Sequence, residues 1–501
     1  MKKVLTIILD GFGVREDVYG NAVKNAGMNH FINIWNNYPH CLLKASEEYV
    51  GLPDGQQSCS ELGHSIIGSG RKVTSKLREL KELITPKNMF QNSTYQQMLK
   101  YLNNNTQSSL HIIFMLSDGG IISHIDNLIS MINVLKESKI TNNIYLDLIS
   151  DGVDTPRKNI LKYLRKIDTC LTDNIKISSL CGRYYALSPI NDERRTKIYY
   201  DLILKGEGIS TNNINNIINA CYNNKITDEY LPPIKAKDFS PIMDEDVILF
   251  LNHDRNSQIN IFESLTDPLF DKFAIYKLNN RVYSLYDINK NLNRNYFFTL
   301  PPIKNTLSEY LSDLGITQAK IAESAKQHCI TYYFDGLRDK EFKGCDLYIV
   351  KTPQVARMDK KPESNCLSVA KTIITCMEKD YDFIIANFAN ADLVGHTGNY
   401  QATINSLQAV DVCLGKIIEV AKDNFYKIII VGSHANADTI INHNNEVVTY
   451  NTLSSVPFII MDDKVKLKNG TLKSVAPTIL NYMDIAIPKE MKDTELLFDK
   501  E

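Results

Sequence analysis

Short runs of apolar, often β-branched residues recur along the chain, separated by segments whose apolar positions fall at helical spacing. "VLTIIL" (4–9), "LHIIFML" (110–116), "IYLDLI" (144–149), "DVILFL" (246–251), "DLYIV" (346–350), "FIIANF" (383–388), "KIIIVG" (427–432) and "PFIIM" (457–461) read as strands. Their near-continuous apolar character is what a parallel sheet covered on both faces requires. Between them, "NTLSEYLSDLG" (305–315) places Leu307, Tyr310 and Leu311 on one helical face, with Gly315 as its C-terminal cap. "LQAVDVCLGKIIEVAK" (407–422) is a second helix of this kind, and the single Trp35 lies in an amphipathic segment expected to face the core. The alternation predicts an α/β fold.

Composition narrows the setting. At 501 residues the chain exceeds what one hydrophobic core usually supports, so two domains are expected. A formal net charge of −2 gives no electrostatic reason to bind nucleic acid or an anionic membrane. The ten cysteines show no CxxC pairing, which points to buried thiols in a reducing compartment. The apolar run in "MKKVLTIILDGFG" is cut by Asp10 after six residues, too soon for a signal peptide or a membrane span. A soluble, cytoplasmic protein without a membrane partner is expected.

Polar chemistry enters at the strand ends. "TIIL" runs into Asp10, "FIIANFANADLVGH" into Asp392 and His396, and "KIIIVGSHANAD" into Ser433 and His434. Ligands in open α/β sheets gather outside the carboxyl ends of the strands. A lone Asp after a strand is usually a turn residue or a helix cap. Three strands delivering carboxylate, imidazole and hydroxyl groups to one edge instead suggest a metal site suited to manganese or zinc. The stretch "GLPDGQQSCSELGHSIIGSGR" (51–71) lacks hydrophobic periodicity and is dense in glycine and small polar residues. It reads as a loop, either a plain surface one or one that brings a nucleophilic hydroxyl to a metal or a phosphate.

Taken in order, "ILDGFG", "GLPDGQ…SELGH…IGSGR", "LSDGG…SHID", "DGVDTP", "GRYYA", "KNTLSEYL", "KIAES", "NFANADLVGHTGN", "AVDVCLGKI", "SHANAD" and "SVPFI" span the chain. This series resembles the cofactor-independent (2,3-bisphosphoglycerate-independent) phosphoglycerate mutases, members of the alkaline-phosphatase-like metalloenzymes. The resemblance implies an alkaline-phosphatase-like doubly wound sheet built from residues 1–75 and 300–501. A second α/β domain, 76–299, would be inserted in it, and the two would close over substrate. It further implies a monomer acting on a small phosphorylated substrate with two divalent cations, Mn2+ foremost.

By position, Ser60 matches the nucleophile that takes the phosphoryl group, and Lys326 matches the catalytic lysine. One metal set reads Asp10, Ser60, Ser433 and His434, with Ser433 in place of the family's Asp. The other reads Asp392, His396 and Asn451, with Asn451 in place of a His. Of the substrate-binding set, His124, Asp154, Arg183 and Arg255 remain, whereas Ile122 replaces a His and Val153 and Pro189 replace arginines. His253 and the pair Arg194 and Arg195 stand near enough in sequence to compensate. Three readings follow: a divergent mutase passing through a phosphoserine at Ser60, a metal-dependent phosphatase or phosphotransferase acting on another phosphorylated or phosphonylated small molecule, and a pseudoenzyme keeping the fold as a binding module. Around the site, Cys59 is read as substrate-adjacent filler, His64 as a brace and Arg71 as a structural contact. Glu323 is read as orienting Lys326 or as a surface carboxylate.

Overall fold

The computed structural model describes all residues except 74, 75, 188–191, 277, 290, 293, 294, 493 and 499–501. The chain divides into two compact units, one of Met1–Ser75 with Pro301–Glu501, the other of Lys76–Leu300. In chain order the strands are Lys3–Leu9 (β1), His40–Lys44 (β2), Leu110–Leu116 (β3), Ile144–Ser150 (β4) and Ile175–Gly182 (β5). Next come Ile209–Ser210 (β6), Ile234–Lys235 (β7), Val247–Phe250 (β8), Arg281–Ser284 (β9) and Gln318–Glu323 (β10). The last are Cys345–Val350 (β11), Phe383–Phe388 (β12), Tyr426–Gly432 (β13), Val456–Ile460 (β14) and Gly470–Thr471 (β15).

The first unit carries an eight-stranded sheet in the order β11-β10-β12-β1-β13-β14-β2-β15. From β11 to β13 neighbouring strands run parallel, so their carboxyl ends share one edge. Strand β1 lies between β12 and β13 and is buried on both faces, which is why it reads as an unbroken apolar run. The segment at 457–461 departs from the parallel expectation. As β14 it runs antiparallel to both β13 and β2, because a fully buried antiparallel strand is as apolar as a parallel one. The second unit carries a seven-stranded sheet, β6-β7-β5-β4-β3-β8-β9, parallel from β5 through β9.

Helices cover the sheet of the first unit. Tyr400–Asp423 and Cys366–Glu378 pack into one apolar layer through Leu407, Val410, Leu414, Ile417, Val369 and Ile373. The helix at 305–315 forms as Leu307–Asp313, with Gly315 in the left-handed region (φ 75°) just past its end. Trp35 is half-buried at the margin of this core and stacks on His40, with ring centroids 3.9 Å apart. Among the described residues no two cysteines form a disulfide, and eight of the ten are buried.

The stretch 51–71 corrects the loop reading. Residues Ser60–Ser69 form a helix in which Ser60 and every residue from Gly63 to Ser69 are buried. A helix enclosed on nearly all sides has no polar stripe, so its sequence carries no amphipathic period. Arg71, just beyond it, donates from Nη2 to the carbonyls of Lys304 (2.8 Å) and Asn305 (2.9 Å). It thereby ties the outgoing chain to the returning one.

A bidentate pair fastens the returning segment. Arg338 reaches both carboxylate oxygens of Glu309 at 2.7 Å, and Glu309 also accepts from the Asn305 amide. The Arg338 bonds outweigh burial and lower the Glu309 carboxyl from 4.5 to about 2. Stability from a depressed carboxyl is present above its unfolded value and is lost as pH falls through its folded one. Glu309→Gln should therefore cost about 1 kcal/mol at pH 7. In urea unfolding, the gap to the parent should close between about pH 4.5 and pH 2.

Candidate active site

Four adjacent parallel strands deliver side chains to one edge. Asp10 follows β1, Lys326 ends the short turn Ser324–Lys326 after β10, Asp392 lies in the helix Asn390–Gly395 after β12, and Ser433 and His434 follow β13. Ser60 enters from the side as the first residue of its helix, which sets the positive end of the helix dipole at its hydroxyl. Two glycines permit this convergence. A Cβ on Gly63 would stand 2.3 Å from the Ser433 carbonyl oxygen. One on Gly11, at φ 74°, would stand 2.7 Å from the Asp392 Cα.

The groups meet at hydrogen-bond distance. Ser60 Oγ donates to Asp10 Oδ2 at 2.9 Å, and Lys326 Nζ donates to Ser60 Oγ at 2.6 Å. The same ammonium lies 2.5 Å from Asp392 Oδ2 and 3.0 Å from Asp10 Oδ2. Ser433 Oγ donates to Asp10 Oδ1 and lies 3.0 Å from His434 Nδ1, while His434 Nε2 lies 2.8 Å from Asp392 Oδ1. His396 Nε2 faces the same Asp392 oxygen at 3.2 Å, and its Nδ1 lies 2.5 Å from the Thr449 carbonyl. Apart from the half-buried His396, these side chains are almost entirely sealed from solvent.

Burial opposes charge here, and the neighbours decide the outcome. It would raise the Asp10 carboxyl, but the Lys326 ammonium and the His434 bond hold it well below the usual range. Asp392 is lowered in the same way, against burial, by Lys326 and His396. Burial would deprotonate Lys326, yet Asp10 and Asp392 raise it well above an ordinary lysine. Burial likewise works against charge on His434, and the bonds to Asp10 and Asp392 raise it to about 9. The two carboxylates thus draw positive charge to the space between them.

Asn451 is turned to other work. Its Oδ1 accepts from Asn436 Nδ2 at 3.0 Å and its Nδ2 donates to the Ser58 carbonyl at 2.8 Å. His64 is a brace. Its Nδ1 donates to the Ser60 carbonyl at 2.7 Å, so its Nε2 accepts from Asn387 Nδ2 at 3.0 Å, and burial lowers its basicity. Glu323 neither orients Lys326 nor lies on the surface. It is 1% exposed and accepts from Ser364 Oγ (2.6 Å) and the Asn365 amide (3.1 Å). Cys59 is half-buried immediately before Ser60.

A second cluster occupies the carboxyl edge of the other unit's sheet. Arg183, just past β5, donates from Nη1 to Asp151 Oδ1 (2.7 Å) and Asp154 Oδ2 (2.8 Å), and these carboxylates overcome burial to raise its basicity further. Asp151, unnoticed in the sequence, organises the turn after β4 by accepting from Ser117 Oγ (2.6 Å) and the amides of Val153 and Asp154. The only clue to it was an Asp directly after an apolar strand. His124 caps the helix Ile125–Glu137 and accepts from the Asp126 amide at 3.3 Å, with burial lowering its basicity. Ile122 is buried, and its carbonyl accepts from the amides of His253 (2.9 Å) and Asp254 (3.2 Å), which draws the half-buried Arg255 to this edge. Arg195 is buried with its guanidinium 4.0 Å from the Tyr184 ring centroid, while Arg194 is exposed. Pro189 lies outside the described residues.

Residues 2–487 match the family model of the metalloenzyme superfamily. The chain is 35% identical over 513 residues to the 2,3-bisphosphoglycerate-independent phosphoglycerate mutase of Clostridium tetani, a match covering 100% of this chain and 99% of the relative. This chain belongs to that mutase family. The enzyme of the same name from Aster yellows witches'-broom phytoplasma is 32% identical, with 99% of each chain covered. A crystal structure of Leishmania mexicana phosphoglycerate mutase at low cobalt concentration shares the fold, with a TM-score of 0.92 at 23% identity over 100% of this chain and 98% of that one.

Among the described residues no group of three or more His, Cys, Asp and Glu side chains stands ready to hold a metal ion, because the donors bond one another. Their chemistry nonetheless fits a divalent cation. Two carboxylates, two imidazoles and two hydroxyls converge, and the positive charge the carboxylates draw to His434 is what a bound cation supplies.

Proposed function

We propose that this chain is a 2,3-bisphosphoglycerate-independent phosphoglycerate mutase that interconverts 3-phosphoglycerate and 2-phosphoglycerate through a phosphoserine at Ser60. The observation that carries this reading is the Ser60 hydroxyl, buried between Asp10 (2.9 Å) and Lys326 (2.6 Å) in a member of the mutase family. As Oγ bonds to phosphorus and the bond from phosphorus to the glycerate oxygen breaks, the Ser60 hydroxyl proton, held against Asp10 Oδ2, passes on to that glycerate oxygen. The reverse steps return the phosphoryl group to the other hydroxyl. Phosphoryl transfer rests on positioning and on neutralising charge at the equatorial oxygens, which Lys326 and the helix N-terminus at Ser60 provide.

Asp10, Asp392, His396 and His434, with Ser60, are the residues that would hold a divalent cation, Mn2+ by their donor chemistry. When bound, the cation adds further neutralising charge. Asn451, committed to Asn436 and Ser58, and the uncharged Ser433 contribute least to it. Asp154, Arg183, Arg255 and His124 are assigned to gripping the substrate. We assign action as a monomer in the cytoplasm, in glycolysis, without nucleic acid or membrane. Among the described residues no helix is long and apolar enough to cross a membrane.

The test is a coupled assay in which enolase converts 2-phosphoglycerate as it forms from 3-phosphoglycerate, run in Mn2+. Turnover is expected. Its absence at all Mn2+ concentrations, with hydrolysis of an aryl phosphate by the same protein, would overturn the mutase reading in favour of a phosphatase.

A further inference from the structure

We infer that Asn451 is a positioning residue for the Ser60 nucleophile, its side-chain amide clamping the chain two residues before that serine. The inference deepens the mutase reading and rests on it. Ser60 opens its helix after Cys59, whose backbone is extended (φ −143°, ψ 171°) and whose side chain makes no capping bond to the helix. A thiol is a weak acceptor, so the usual side-chain device for fixing a helix start is not what holds this one. The entering chain is gripped instead at the buried Ser58, whose carbonyl accepts from Asn451 Nδ2 at 2.8 Å. That carbonyl belongs to the planar peptide unit leading into Cys59, so its direction sets where Ser60 begins.

The Asn451 amide has one orientation open to it. A carbonyl can only accept, so the NH2 group faces Ser58 and Oδ1 faces Asn436, whose Nδ2 donates to it at 3.0 Å. Both asparagines are buried, and both are tied to the strand ends. The Asn436 backbone amide donates at 3.1 Å to the carbonyl of Gly11, the residue after Asp10. The Thr452 amide, next to Asn451, donates to the Ala435 carbonyl at 2.8 Å.

The circuit closes through Ser60 Oγ, which donates to Asp10 Oδ2 at 2.9 Å. Nucleophile and strand end are thus joined twice, once directly and once through two side-chain amides. The direct bond uses the reacting hydroxyl and is given up when Oγ bonds to phosphorus. The amide route touches none of the reacting atoms, so it persists through the transfer and keeps Oγ in place. At the position where the family carries a ligand, this chain has an amide committed to the backbone of its nucleophile.

The test uses the full chain in the enolase-coupled assay. Asn451→Ala removes both amide bonds, and Asn451→Leu removes them while keeping the bulk, so the test stands should one of the two fail to fold. Each should lower kcat roughly 10–100-fold with KM for 3-phosphoglycerate unchanged within about threefold, since a misplacement of about 1 Å costs about 10² in rate. In acid-quench experiments the rate at which phosphate appears on Ser60 should fall by the same factor. Ser454→Ala is the control: it removes a 2.7 Å bond to Asp438 from the same segment and should lower the thermal midpoint, yet hold kcat within about threefold of the parent. The inference is overturned by a kcat within about threefold of the parent in the folded Asn451 variants, or by a rise in KM in place of the fall in kcat. An equal loss of kcat in Ser454→Ala overturns it, because general loosening of the segment would then explain the effect. Recovery of kcat in Asn451→Ala on raising Mn2+ overturns it as well, by making Asn451 a metal ligand. A parent without turnover brings down the mutase reading and this inference together, whereas an active parent with equally active Asn451 variants brings down the inference alone.

Discussion

Ser60→Ala is expected to lower mutase turnover by roughly 10⁴-fold or more, with the protein folded and substrate still bound. No neighbouring hydroxyl can substitute. Ser433 Oγ is committed to Asp10 Oδ1 and lies against His434, on the far side of the Asp10 carboxylate from Ser60. The structural cost is small because the removed hydroxyl leaves no buried charge alone. Lys326 still faces Asp10 at 3.0 Å and Asp392 at 2.5 Å. A stability loss of about 1 kcal/mol is expected in denaturant unfolding. Thermal unfolding with and without 3-phosphoglycerate should show the same ligand-dependent shift in variant and parent. Residual turnover within tenfold of the parent would remove Ser60 from the chemistry.

Lys326→Met should damage both activity and stability, which distinguishes it from the serine variant. Its ammonium is the strongest of the charges that compensate Asp10 and Asp392, both almost wholly buried, with His434 the second at Asp10 and His396 at Asp392. Methionine fills much of the same volume but leaves two carboxylates facing each other, and removing one partner of a buried ion pair costs about 3–5 kcal/mol. The chemical step loses the positive charge nearest the Ser60 oxygen, a loss of roughly 10²–10³-fold in kcat. Unfolding of Lys326→Met should therefore begin at distinctly lower urea than that of Ser60→Ala. Equal stability of the two would mean that the carboxylates are compensated elsewhere.

Most of the strands that the sequence revealed are buried on both faces, the exception being the edge strand β11, where Asp346 and Leu347 are exposed. β1, β3, β12 and β13 carry unbroken apolar runs, and the eight apolar segments all became strands. The strands it hid contain polar residues whose partners lie far off in the chain. β10 carries Lys320, an unpromising residue for a buried strand until Asp335 is seen beside it at 2.5 Å. β5 contains Ser179, whose hydroxyl bonds Asp147 at 2.7 Å on the neighbouring strand.

The site was legible for a related reason. Asp10 follows an apolar run directly, and His434 and Asp392 come within about four residues of one, so their place at the sheet edge could be read from the order of residues alone. Lys326 follows "AESA" with no such run and looks like a surface lysine without the family resemblance. Asn436 and Asp151 bond to residues 15 to 40 positions away, and beyond the position of Asp151 just after β4 nothing in their local sequence announces them. The helix at Ser60 was read as a loop because its enclosure on nearly every side erased the amphipathic signal.

The central claim is that the Ser60 oxygen carries the phosphoryl group between the two hydroxyls of glycerate. Rapid acid quench of the protein with 3-phosphoglycerate, followed by peptide mass spectrometry, tests it most directly. Phosphate is expected on the peptide containing Ser60, at that residue, and absent from Ser60→Ala. Turnover in the enolase-coupled assay with Ser60 unmodified at every quench time, or with phosphate on another side chain, would contradict it.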